Sequence, residues 1–438
     1  MFRRYVWRDD SRPLPHVVAL VFLFISLVLI GMLALLAHGF VIIASYLVWP
    51  IRWMAVITLV TFVGVVWTWR NRERISWLEV PDMSVKAEKR AKRLLKLFSD
   101  KAITDVLGFS VSTRYGEEMP VVRVWVNDDL NLGYIAVENI ANFDALDRQK
   151  LEQRVSGILS GRYAKYAVVA SDLTVGDAYV RYWFEDVATS HRLTVSNGDV
   201  SPFVSSNVHE IQVMDNLKLR FGYDVHNMGI VARTRSGKTM LAKFMASVMV
   251  QQGWIVEYSS AKHDVNVDQF NGYSDPLDIV DRAEYWVSVM NERLRRINES
   301  GREKYLDMPD MVDVALFWDE LGNLSAALDL DKKAKSRWQA AINRLTATGA
   351  SAGIHSIGIS QMATLEGLGL PNLARTNLAD SVIMLGEAAN NTDERRYMMS
   401  GYADLPSRHY GVGQGLAKFT GIGGIWATPH LFETPYFE

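Results

Sequence analysis

Lys238 and Thr239 close a run whose residue types suit a polyphosphate: Gly229-Ile230-Val231-Ala232-Arg233-Thr234-Arg235-Ser236-Gly237-Lys238-Thr239. A lysine there can reach β- and γ-phosphate oxygens, and the threonine hydroxyl beside it can ligate Mg²⁺. Gly237 lets backbone approach a phosphate with no Cβ in the way. Ala232, Arg233, Thr234, Arg235, Ser236, Gly237, Lys238 and Thr239 are therefore read as the cradle, with successive N–H groups forming an anion nest at a helix start. Ala232 stands where the pattern usually has its first glycine. ATP and Mg²⁺ are the cofactors this loop predicts. The plainer reading is a tight turn that happens to carry a lysine. The apolar run before the loop and the amphipathic stretch after it favour the phosphate site.

A second element supplies acids. Residues 311–320, Met-Val-Asp-Val-Ala-Leu-Phe-Trp-Asp-Glu, form an apolar run ending in two carboxylates. A buried strand of this kind delivers Asp319 to a Mg²⁺ shell and places Glu320 to polarise an attacking water. Gln361, at the end of the apolar stretch 353–361, can sense a γ-phosphate. The alternative for it is an ordinary polar cap on a buried strand.

These groups need a scaffold that alternates strands and helices. Residues 228–231, 254–258, 311–320, 353–361 and 381–385 read as strands, and 240–250, 276–297 and 338–346 as helices. The fold class that follows is α/β, a RecA-like P-loop ATPase core with a mostly parallel sheet.

The chain has 438 residues, enough for two or three domains, and a net charge of -2. Such a balance gives no global affinity for nucleic acid, so any DNA contact must be local. There is no cysteine, which excludes disulfides and cysteine-based zinc sites, and the nine histidines show no metal-ligand spacing beside carboxylates.

Residues 17–37 are apolar apart from Ser26. That is long enough, at about 1.5 Å per residue, to cross a hydrocarbon core of about 30 Å. A second apolar block, 40–69, is interrupted by Pro50 and Arg52. The second span is expected at 53–69, or from Trp49 with Arg52 snorkelling to the interface. A cleaved signal peptide is disfavoured, because the first run is too long and a second span follows it. Arg3, Arg4, Arg8 and Arg12 precede the first span, and Arg70, Arg72 and Arg74 follow the second. The positive-inside rule then puts both termini and the motor in the cytoplasm of a multi-pass cell-membrane protein.

Three parts result: a membrane hairpin with two transmembrane helices over 1–75, a basic helix with a small α+β domain over 76–207, and the motor over 208–438. The basic helix, 83–98, carries Lys86, Lys89, Arg90, Lys92, Arg93 and Lys96 against Glu88 alone. It suits anionic head groups or DNA phosphate, or is a solvated face. Residues 121–126 and 179–184 read as strands and 146–159 as a helix, while 195–207, rich in Ser, Asn, Pro and Gly, reads as a loop or linker.

Gly349-Ala350-Ser351-Ala352-Gly353-Ile354-His355, closing on Gln361, resembles a signature of the FtsK/SpoIIIE family of DNA-pumping ATPases. His226 before the P-loop, the Asp319-Glu320 pair and Asn377 near the last strand fall in matching order. The resemblance covers residues 208–425, with membrane spans ahead of them as in the family. It implies a homohexameric RecA-like ring that threads double-stranded DNA. Two positions depart from the pattern: Ala350 replaces the signature arginine, and Ser381 stands where an arginine often follows the asparagine. A trans-acting arginine must then come from elsewhere, with Arg344 and Arg375 as candidates and Arg375 preferred. The stretch 411–438 reads as a closing strand and tail with no room for a winged-helix domain. The chain thus looks like the short FtsK-like proteins of conjugative elements, such as TcpA-like coupling proteins, with conjugation or secretion components as partners; phage-encoded relatives would look the same. Two rival functions are a type IV coupling protein that delivers relaxase-bound single strands to a secretion channel, and a membrane scaffold that does not hydrolyse ATP.

Overall fold

The computed structural model describes residues 15–70, 78–109, 111–113, 116–118, 120–139, 145–405 and 407–438. The chain divides into two compact units, Met1–Asp82 and Met83–Glu438.

The first unit holds two helices, α1 (Pro15–Gly39) and α2 (Val41–Arg70). Within them Val18–Gly39 and Ala44–Thr68 are long and apolar enough to cross a membrane. A soluble core would bury such helices, but here Phe24 is 68% and Leu35 73% exposed. That outward apolar surface suits lipid. Ser26 is buried between the helices; its hydroxyl donates to the Leu23 carbonyl and stands 3.4 Å from the Thr61 hydroxyl on α2. Thr58, Thr61 and Thr68 donate to carbonyls of their own helix, so these polar groups are satisfied without water. Pro50 does not interrupt the second segment as its sequence suggests. It lies inside α2, which runs for 30 residues. Proline removes one N–H, and one missing bond is tolerated in a helix whose other bonds are strong in an apolar setting. Arg3, Arg4, Arg8, Arg12, Arg72 and Arg74 lie outside the described residues.

The second unit begins with α3 (Val85–Phe98), capped by the Ser84 hydroxyl, which accepts from the Ala87 N–H. Ala87, Ala91, Leu94 and Phe98 recur at helical spacing and are buried, which turns Lys86, Lys89, Lys92, Arg93 and Lys96 outward. α3 and α4 (Ala145–Arg162) cover one face of an antiparallel sheet of β1 (Val122–Val126), β2 (Leu132–Glu138), β3 (Tyr166–Leu173) and β4 (Tyr179–Asp186), in the order β1-β2-β4-β3. Val122, Val124 and Val126 alternate into the core with Leu94, Phe98, Val155, Leu159 and Phe184, as a half-buried strand of period two requires.

The larger sheet has seven strands: β5 (Met228–Ala232), β6 (Ile255–Ser260), β7 (Val314–Asp319), β8 (Ile354–Ser360), β9 (Ser381–Leu385), β10 (Gln414–Phe419) and β11 (His430–Glu433). Their order is β6-β7-β8-β5-β9-β10-β11. The first five are parallel and the last two antiparallel. β5, β7, β8 and β9 are buried at every residue, the signature of parallel strands covered on both faces. The expected α/β class with a mostly parallel sheet is thus observed. The strands run from β5 outward to β6 and back, so the carboxyl ends of β5, β7 and β8 meet at a topological switch point, where open α/β sheets bind ligands.

The stretch read as a linker is irregular but tied down. Thr194–Val195 pairs in parallel with Tyr436–Phe437, and Val195 and Val200 enter the core around the seven-stranded sheet. Glu433 accepts from the Ser190 hydroxyl and the His191 N–H. Sequence proximity could not show this, because the partners come from the far end of the chain.

Candidate nucleotide site

The P-loop connects β5 to α5 (Lys238–Gln251), in the strand-loop-helix order that a phosphate cradle requires. Arg235 has φ +66° and Gly237 +97°, left-handed values that aim neighbouring N–H groups to one side and build a nest. A Cβ on Gly237 would stand 3.0 Å from the Cα of Gly413, so glycine is required by space as well as by φ. The Gly413 N–H holds the loop through the Ser236 carbonyl at 3.1 Å. Arg233 forms an ion pair with Glu394, buried on α10 (Thr392–Met398), and the other oxygen of Glu394 accepts from the Ala363 N–H.

Lys238, Asp319, Glu320 and Gln361 converge. Lys238 Nζ is 2.7 Å from Glu320 Oε1 and 3.7 Å from Asp319 Oδ1. Gln361 Nε2 donates to Glu320 Oε2 at 2.9 Å, and its Oε1 accepts from the Thr234 hydroxyl at 3.3 Å. The Asn323 amide, on α7 (Leu321–Leu328), donates to Glu320 at 3.3 Å. Glu320 has φ +52°, an unfavourable value for a residue with a side chain, held where β7 turns into α7. Asp319 is fixed by the Tyr258 hydroxyl at 2.6 Å and by the Glu320 N–H at 2.7 Å.

The two carboxylates differ electrostatically. Burial pushes the Asp319 carboxyl up, against the pull of Lys238 and Tyr258. Burial would raise Glu320 too, but its bond to Lys238 and the amide of Gln361 outweigh it and hold Glu320 below the usual glutamate value. Glu320 is therefore ionised at neutral pH and Lys238 neutralises it.

The donor set fits Mg²⁺. Thr239 is exposed at the start of α5 and Asp319 is a buried carboxylate at a strand end, both hard oxygen donors. A divalent cation would also offset the charge that burial disfavours on Asp319.

Arg375 lies apart from this convergence. It sits on α9 (Asn372–Ala379), donates to Asn372 Oδ1 at 3.1 Å, and has its guanidinium 5.1 Å over the Tyr397 ring. Its Nη1 is buried with no acceptor among the described residues. Arg344 is engaged by Asn291 at 2.8 Å. His355 and His226 are not at the end of the sheet where Lys238 meets Glu320. The carbonyl of His226 bonds His355 Nδ1 at 2.8 Å, and His355 Nε2 is 3.2 Å from Asp313, which also receives the Tyr305 hydroxyl and faces His209. This buried network ties the opposite end of β8 to the start of β7. The segment 363–371 holds a helical turn, Leu365–Leu368, packed so closely on α7 that a Cβ on Gly369 would overlap Ser325; Leu365 is 50% exposed at its tip.

Tyr258 and Glu394 were not singled out by sequence. A tyrosine in an apolar strand and an acid on a polar helix carry no local signal; each matters through a partner remote in the chain.

No family model and no curated protein matches the sequence. Among solved structures, the conjugation coupling protein TcpA of pCW3, in its monomer form with ATPγS, superposes with a TM-score of 0.50 over 80% of this chain and 96% of that one, at 14% identity. The chain has the TcpA fold. The likeness to TcpA is one of architecture and extends over nearly all of the chain in that structure. Two structures of the Type VII secretion ATPase EccC of Thermomonospora curvata are also similar. Its cytoplasmic domain gives a TM-score of 0.38 at 18% identity over 54% of this chain and 30% of that one. Its ATPases 2 and 3, in complex with a signal sequence peptide, give 0.35 at 14% identity over 62% and 43%.

Proposed function

We propose that the protein is a membrane-anchored ATPase of the FtsK/SpoIIIE type that moves DNA, double-stranded by preference, in conjugative or mobile-element transfer. The observation that carries the ATPase reading is the meeting of Lys238, Glu320, Asp319 and Gln361 at the switch point of the sheet. The TcpA fold supports the conjugative setting, since TcpA is itself a conjugation coupling protein solved with ATPγS. In this reading, residues 1–75 anchor, 76–207 form an accessory domain and 208–438 are the motor. Lys238 and the N–H groups from Ala232 to Thr239 hold the phosphates. Thr239 and Asp319 hold Mg²⁺, which supplies charge neutralisation at the phosphates when bound. Glu320 orients water, and Gln361 reports the terminal phosphate through its amide.

The competing delivery of single strands with a relaxase uses the same motor chemistry. ATP turnover of the full-length protein with double- or single-stranded DNA separates the two: faster turnover with duplex is expected, and stimulation by single strands alone would favour the rival.

The motor is proposed to work as a homohexameric ring in which Arg375 enters a neighbour's site. One feature supports this: Arg375 hydrogen-bonds Asn372 and lies over Tyr397, and makes no contact with Lys238 or Glu320 of its own chain among the described residues. A trans arginine contributes on the order of 10³ or more in rate. Turnover per subunit should rise steeply with concentration. Mixing Arg375→Ala with Lys238→Ala subunits should restore activity, because one interface keeps both groups. Arg344→Ala is the control. No restoration, with turnover independent of concentration, excludes Arg375.

Both termini are proposed to face the cytoplasm. Reporter fusions after Arg12 and after Arg74 should both read inside; an outside signal at either position ends the hairpin model.

A further inference from the structure

The outer face of α3 carries charge that neither the nucleotide site nor the packing of the fold uses. At about 100° per residue, Lys86, Lys89, Lys92, Arg93 and Lys96 fall within an arc of about 120°, opposite the buried stripe of Ala87, Ala91, Leu94 and Phe98. All five cations are exposed. Lys92 pairs with Glu88 at 3.1 Å, one turn back on the same helix. Lys86, Lys89, Arg93 and Lys96 have no carboxylate partner among the described residues. Two acids near the ends of α3 are engaged by backbone: Asp128 accepts from the Ser84 N–H at 3.0 Å, and Asp100 from the Ala102 N–H at 2.9 Å. Arg90, outside the arc, turns sideways over the Tyr163 and Tyr166 rings. Packing therefore accounts for Arg90 and leaves a face of one sign. Val85, 84% exposed, lies in that face at its start.

The chain itself brings a counter-charge within reach. α2 ends at Arg70, and residues 71–84 join it to α3. At about 3.4 Å per residue that segment spans at most about 50 Å, so a bilayer crossed by α2 stays close to α3. Tethering of this kind gives headgroups a high effective concentration at the face. Duplex DNA also offers phosphates, but it must be recruited from solution, whereas the bilayer is held by the same chain. We propose that α3 lays Lys86, Lys89, Lys92, Arg93 and Lys96 on anionic phospholipid headgroups of the membrane that holds α1 and α2. This rests on the reading of α1 and α2 as a membrane anchor. Four of the five cations are lysines, point charges on flexible stems that suit headgroup phosphates of no fixed spacing. Because the cations are exposed, the contact weakens as salt rises.

The sequence has no cysteine, so Val85→Cys gives the full-length protein a single site for a fluorophore on this face. The labelled protein is placed in nanodiscs of phosphatidylcholine alone, or of phosphatidylcholine with phosphatidylglycerol, each carrying a trace of lipid with a nitroxide quencher on its headgroup. Strong quenching is expected only with phosphatidylglycerol, and high salt should abolish it. Lys89→Gln should lower the ratio of docked to free α3 by about fivefold. Replacing Lys86, Lys89, Arg93 and Lys96 together by glutamine should remove the quenching. Arginine at Lys86, Lys89 and Lys96 keeps the charge and should preserve it, which a general disturbance of the helix would not do. Equal quenching in the two kinds of disc, or quenching that survives the fourfold glutamine variant, overturns the inference. So does a fourfold variant that docks like wild type but no longer shifts duplex DNA on a gel, which assigns the face to DNA. A protein that enters neither kind of disc overturns the anchor reading beneath it, which is a separable result.

Discussion

Replacing Lys238 by alanine is expected to reduce ATP turnover by about 10²–10³-fold, the usual cost of removing one group that stabilises charge on a reacting phosphate. The variant should also bind ATP more weakly, because the ammonium contacts phosphate in ground and transition states alike. A second effect follows from the resting geometry. Lys238 and Glu320 are paired at 2.7 Å and both buried. The alanine variant leaves Glu320 with the Gln361 and Asn323 amides alone. A buried carboxylate stripped of its cation costs about 1–3 kcal/mol even when amides remain, so the nucleotide-free variant should melt at a lower temperature than wild type. Wild-type turnover in Lys238→Ala would remove the catalytic assignment.

Glu320→Gln should separate binding from chemistry. Without the carboxylate, water is not polarised, and a loss of about 10²–10⁴-fold in turnover is expected for a missing general base. Affinity for ATP should be retained or should rise, because the anion that competes with phosphate for Lys238 in the resting site has gone. Asp319, held by Tyr258 and the Glu320 N–H, should keep its place. The pattern is opposite to that of Lys238→Ala in affinity and the same in turnover. A glutamine variant that turns over ATP like wild type, or fails to bind it, would reject the role given to Glu320.

The parts of this site that were legible in the sequence are those encoded locally. Glycine, lysine and threonine in succession after an apolar run specify a cradle wherever the strand lies. An apolar strand ending in Asp319-Glu320 specifies a carboxylate at a sheet edge, and Gln361 reads the same way. The parallel sheet followed from the alternation of periods. What was not legible depends on pairs far apart in the chain. Arg233 is clamped by Glu394, Asp319 by Tyr258, and the P-loop backbone by Gly413, which the C-terminal strap holds in turn. No spacing rule connects such residues before the sheet order is known. His355 shows the converse. It belongs to the family-like signature, yet the structure places it in a buried network with Asp313 and Tyr305 at the other end of the strand from Gln361. Pro50 was misleading for a physical reason: a helix breaker in water is a modest defect in a long apolar helix.

The central claim is that ATP hydrolysis at this site moves DNA. The most direct measurement is displacement of a triplex-forming oligonucleotide from a duplex by the full-length protein. The account predicts displacement that requires ATP and is absent in both Lys238→Ala and Glu320→Gln. Active ATP turnover with no displacement from duplex or single-stranded tracks would contradict it.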